Sequence, residues 1–190
     1  MEETQGTQED QEFLRRFEAS AIPNEEWTHE AHLRMAFLQL RDAPFDRALE
    51  RIRHGIHRLN RANGVENTAT SGYHETLTVA WARLVAARIR SGDASRDFAA
   101  FMAVYRRVLR QAVIFDYYSR ARLFGDPRAR LEFVAPDRRG LPGDRETPPA
   151  RPARTEPEPR QAWWRSTSPA RTPVCSPSRT FTWPFTSVAR

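Results

Sequence analysis

The sequence predicts an all-α fold, a compact bundle of about five main helices followed by a disordered tail. Three observations lead there. Apolar residues between positions 10 and 135 recur at helical spacing. No stretch alternates convincingly with period two, and the turns lack hairpin chemistry. Eleven of the 14 prolines fall between 136 and 190, so the composition changes sharply near Pro136.

The first helix is expected over about 9–19, with Phe13, Leu14 and Phe17 on one side. The second covers about 28–41. Thr28 supplies a side-chain oxygen for its first turn, with Asn24 as an alternative cap, and Glu30 lies near its positive end. The third runs over about 44–62, with Pro44 in its first turn and Asn63-Gly64 closing it. The fourth spans about 72–90, after the turn-rich "NTATSG", and stops at Ser91-Gly92. The fifth spans about 95–110, with Phe98, Phe101, Met102, Tyr105 and Val108 on one face. Shorter helical pieces follow near 115–123 and 127–133. Helices packed on helices without a sheet make a bundle the natural architecture.

Segments such as "RETPPARPARTEPEPR" and "TSPARTPVCSPSR" lack apolar periodicity and cannot bury enough surface to offset chain entropy. The expected division is therefore a helical domain over 1–142 and a disordered tail over 143–190. The tail's aromatics, in "QAWWR" and "TFTWPF", sit beside an excess of Arg and Pro and resemble a GC-rich gene read in a shifted frame. The alternative is a Pro-rich segment that binds a partner.

Charge narrows the function classes. Every one of the 30 basic residues is Arg, and the formal net charge is +6. Residues 1–136 hold 20 Arg against 19 acids, while 137–190 hold 10 Arg against 5. The helical part is nearly neutral, which argues against nucleic acid as its partner. The acidic, polar N-terminus is no signal peptide, and no uncharged apolar run approaches the ~18 residues of a membrane helix. The single Cys175 excludes an intrachain disulfide and a Cys-rich zinc site. A cytoplasmic protein without a membrane partner is the expectation.

The histidines carry the chemical question. "EEWTHEAHLRMAFLQL" places His29 and His32 three apart where an apolar helix begins, and "SGYHETLTVAWARLV" opens another apolar run with His74. Helical phase puts His29 in the stripe of Leu33, Ala36, Phe37 and Leu40, with His32 at its edge. His74 falls in the stripe of Tyr73, Leu77, Ala80, Trp81 and Leu84, beside Thr78. His54 and His57 share the same spacing on the third helix but lie away from Phe45, Leu49, Ile52, Ile56 and Leu59, so they are expected to face water. Three inward imidazoles suit a divalent metal, zinc or iron, with an open position for water or substrate. His29, His32 and His74 are the candidate ligands. Glu30 and Glu75 are candidate catalytic bases or orienting groups, although Glu75 points away from its stripe unless that helix starts later. Trp27, Asn60, Tyr73, Thr78 and Trp81 would shape a pocket for a small-molecule substrate. "HEAH" does not have the metalloprotease spacing. The competing reading is a non-catalytic bundle that binds a ligand or a protein, its histidines being hydrogen-bonded core residues.

The pieces "EEWTHEAHL", "LNRANG", "GYHETLT" and "ARLEFVAPDRRGLP" together resemble a family of small, largely uncharacterised bacterial proteins with W-T-H-x-x-H-L and G-Y-H-E-T-x-T motifs. The resemblance implies that Trp27, His29, His32, Asn60, Tyr73, His74, Glu75 and Thr76 belong to one pattern and that the family-like part ends near Pro142. It implies no particular reaction.

Overall fold

A computed structural model describes residues 2–68, 70–91 and 97–144, and among these there are helices and no strand. The main elements are α1 (Glu2–Glu18), α2 (His29–Arg41), α3 (Phe45–Ala62), α4 (Glu75–Arg90) and α5 (Phe98–Tyr105). A 3-10 turn at Gln111–Val113, α6 (Ile114–Tyr117), a π turn at Ala121–Gly125 and α7 (Arg128–Leu131) follow. The tail expected beyond 142 lies, from residue 145 on, outside the described residues.

Helices α2 and α4 form the centre. Ala31, Leu33 and every residue from Met35 to Leu40 are buried in α2, and the first eight residues of α4 are buried without interruption. A helix covered on all sides has neighbours on all sides, and α2 packs on α1, α3, α4 and α5. By contrast, α3 buries one stripe, Ala48, Leu49, Ile52, Gly55, Ile56, Leu59 and Asn60, as its apolar spacing predicts.

Helix starts follow the capping chemistry of the sequence in two cases and depart from it in one. The Thr28 side chain accepts from Ala31 N, and α2 begins at His29. Pro44 precedes α3. The fourth helix begins at Glu75 rather than 72, because the chain at His74 is extended (φ −140°, ψ 102°) and His74 is its cap. The fifth ends at Tyr105, earlier than the expected 110. Its start is fixed by Asp97, whose carboxylate accepts from Ala100 N at 2.8 Å. Buried Asp10 of α1 accepts from Phe98 N at 2.8 Å and from Arg34 Nε at 2.7 Å, tying α1, α2 and α5 together.

The chain after α5 is held against α4 by polar bonds at separated points. Thr76 Oγ1 donates to Glu132 O at 3.0 Å and accepts from Val134 N at 3.1 Å. Within that later chain, Tyr118 Oη donates to Val134 O at 3.0 Å. Arg83 pairs with Asp144, which also accepts from Leu141 N at 2.9 Å. These contacts run two residues past the boundary expected at 142.

One glycine is required by packing. Gly55 lies where α3 crosses Phe17 of α1, and a Cβ there would come within 2.2 Å of Phe17 Cζ. Phe17 is only 1% exposed and has nowhere to go. Gly55→Ala is therefore expected to destabilise by about 1–3 kcal/mol despite the better helix propensity of Ala. A urea denaturation curve checks this, and an unchanged or raised midpoint would show that Phe17 can yield.

Candidate functional site

His74 is fully buried, and its ring bridges two elements. Nδ1 accepts from Leu77 N at 3.4 Å, the capping bond that Ser, Asn or Asp usually makes. Leu123 O, a carbonyl that can only accept, lies 3.0 Å from Nε2, so Nε2 carries the proton and donates. Both ring nitrogens thus bond the main chain, one to α4 and one to the π turn. Burial pushes the His74 pKa down to about 4, so the ring is neutral at pH 7.

His29 opens α2 and is half-buried. Its Nε2–H donates to Leu109 O at 2.9 Å. The ring stands edge-on to Trp81, with centroids 4.7 Å apart and planes at 64°. The remaining nitrogen, Nδ1, is buried without a partner, as is Trp81 Nε1. Desolvation lowers the His29 pKa, opposed by the Leu109 bond. One turn on, the His32 Nδ1–H donates to Thr28 O at 2.6 Å, and the ring lies 4.2 Å from that of Trp27. Trp27 in turn stacks on Phe17 at 5.6 Å. Burial pushes the His32 pKa down as well.

His29 and His32 are therefore neighbours at the start of α2, while His74 is held at the start of α4 by Leu77 and Leu123. Among the described residues, no group of three or more His, Cys, Asp or Glu side chains is arranged to hold a metal ion. Three of the expected pocket residues each touch one of these histidines. Trp27 faces Phe17 and His32, Trp81 faces His29, and Thr78 Oγ1 donates to His74 O at 3.0 Å. Glu30 is exposed in the first turn of α2.

Asn60, Tyr73 and Glu75 belong to a second polar centre, between α3 and the loop before α4. Asn67 Oδ1 accepts from Asn60 Nδ2 and from Tyr73 N, each at 2.8 Å. That fixes the amide, so Asn67 Nδ2 donates to His57 Nδ1 at 3.1 Å. The His57 ring packs on Tyr73 with centroids 4.3 Å apart. Tyr73 Oη donates to Glu75 Oε2 at 2.5 Å, and Arg53 forks onto the same carboxylate, Nε lying 3.1 Å from both oxygens. Arg130 Nη1 closes the loop from outside, donating to Gly72 O at 3.2 Å and Tyr73 O at 3.1 Å. Burial, with the Glu75 bond, raises the Tyr73 pKa and keeps the phenol protonated.

Two sequence expectations change here. Glu75 is buried, because the opening turns of α4 are covered on every side and Arg53 and Tyr73 lie over its carboxylate. His57 is half-buried rather than turned wholly to water, since the loop before α4 folds back over it and brings Asn67 and Tyr73 to its ring. His54 is exposed, as its phase predicts. Sequence reasoning passes over Arg53, Asn67 and Arg130. Arg53 lies one turn before His57 on α3, and that spacing is the available signal.

Comparison with protein-family models, with curated proteins and with solved structures finds no match for the chain. No described helix is long and apolar enough to cross a membrane.

Proposed function

We propose that the domain is a non-catalytic helical bundle that binds a ligand or a protein partner, with its histidines serving as polar residues of the core. The observation that carries this reading is the double use of His74. A metal ligand needs a free lone pair, and the His74 lone pair is turned onto Leu77 N while its N–H is held by Leu123 O. Glu75 supports the same reading. Its carboxylate is occupied by Arg53 and Tyr73, which makes it a brace between helices and a poor general base.

A second reading, a small metalloenzyme carrying out hydrolysis or oxidation on a small molecule, is favoured by one feature. His29 donates one ring N–H to a backbone carbonyl and leaves the other nitrogen as a buried lone pair, the arrangement common among metal-ligating histidines. His29 and His32 would then hold zinc or iron, with His74 turned from its present bonds.

Elemental analysis separates the two. Protein supplemented with zinc or iron and then gel-filtered is expected to retain well under one equivalent, in the native chain and in His74→Asn alike. A full equivalent in the native chain that is lost in both His29→Gln and His74→Asn, but kept in His54→Gln, would overturn the non-catalytic reading.

A further inference from the structure

We propose that His29 and Trp81 together form a binding site for a small uncharged hydroxyl, an O–H that donates to His29 Nδ1 and accepts from Trp81 Nε1. Three observations support it. Both nitrogens are buried and unpartnered, and they belong to rings in direct contact. Trp81 is only 5% exposed, so its N–H cannot be satisfied by bulk water. The tautomer of His29 is set by Leu109 O, which obliges Nδ1 to be the acceptor.

The pair is therefore one donor and one acceptor carried on two rings in contact, and not bonded to each other. Leaving both unmet in a buried site is costly, and an orphaned buried N–H is rare in folded proteins. A hydroxyl oxygen, with two lone pairs and one hydrogen, meets both at once. An ionised carboxylate cannot, because it offers no hydrogen to Nδ1. An ammonium cannot, because it offers no acceptor to the indole. Gln111, two residues beyond Leu109, adds another unpartnered buried nitrogen on the same stretch of chain that holds His29. The chemistry is common to a bound water and to a small alcohol, and the experiment distinguishes them.

The inference rests on the non-catalytic reading above, since a metal at Nδ1 would displace the hydroxyl. The test is nuclear magnetic resonance on the full-length protein labelled with nitrogen-15, at neutral pH, with Trp81→Phe used to assign the indole signal. We expect His29 to show a protonated Nε2 and an unprotonated, hydrogen-bonded Nδ1. A cross-relaxation peak between the Trp81 indole proton and water identifies water as the occupant. A saturable shift of that proton and of Nδ1 with added ethanol identifies a small alcohol. The proposal is overturned if the indole proton is shielded by the imidazole face and responds to neither, because an N–H···π contact would then satisfy Trp81 by itself. It is also overturned if Nδ1 carries the proton. Stoichiometric zinc that shifts Nδ1 would sink both the hydroxyl site and the non-catalytic reading, and the bound zinc distinguishes that failure from the others.

Discussion

Replacing His74 with Asn is expected to cost about 2–3 kcal/mol of stability at pH 7 and to remove part of the protein's sensitivity to acid. Asn can still cap α4, since its side-chain oxygen accepts the same backbone N–H. It cannot reach Leu123 O, and an unpaired buried carbonyl costs about 1–3 kcal/mol before the lost ring packing is counted. The pH dependence has a definite sign. The folded pKa of about 4 lies below the ordinary 6.5, so over that interval the unfolded chain takes up a proton that the native His74 refuses. This contribution is complete above about pH 6.5 and is lost as pH falls toward 4. Its full size is about 3 kcal/mol, since each tenfold change in proton affinity is worth about 1.4 kcal/mol. Urea denaturation of native protein and His74→Asn at several pH values checks both parts. Their stability gap should shrink steadily from pH 7 to pH 4.5. A gap that stays constant would mean His74 titrates like a solvated histidine.

The second large effect is expected at Glu75. Glu75→Ala removes the acceptor of the buried Tyr73 hydroxyl and the partner of the Arg53 fork, and should destabilise by about 2–3 kcal/mol. Arg53 is partly solvated and can turn to water, which keeps the loss below that of a fully buried pair. Glu75→Gln retains an acceptor for Tyr73 and should cost roughly half as much. A double-mutant cycle with Arg53→Met, read by thermal or urea unfolding, should show a coupling of about 1 kcal/mol or more. If neither Glu75 variant loses stability, the carboxylate is no brace, and a chemical role for it regains ground.

How much of this is legible in the sequence depends on whether a signal is local. The start of α2 at Thr28, the stripe of α3 and the inward side of His29 all follow from spacing within one helix. Sequence pattern starts the fourth helix three residues early because imidazole is not a usual capping side chain. Phase also brings His74 inside, yet phase reports only the direction of a ring. What its nitrogens meet is decided by Leu123, 49 residues away. The same limit hides the second centre. Asn60, Tyr73 and Glu75 stand out in the sequence, but Arg53, His57 and Asn67 join them only when the loop before α4 folds back.

The polar bonds that hold the later chain to α4 also imply an order of assembly. Helices α2, α3 and α4 follow one another directly and contain more than half of the buried apolar residues, so they can form a nucleus through contacts short in sequence. Helices α6 and α7 have four residues each, too few to persist alone. Helix α7 packs on α4, and the chain around it is tied to α4 and its cap by Thr76, Arg83 and the His74 imidazole. Folding of the segment from Leu123 to Asp144 is thus templated by α4 and its cap, and that segment is the unit most readily released by partial unfolding.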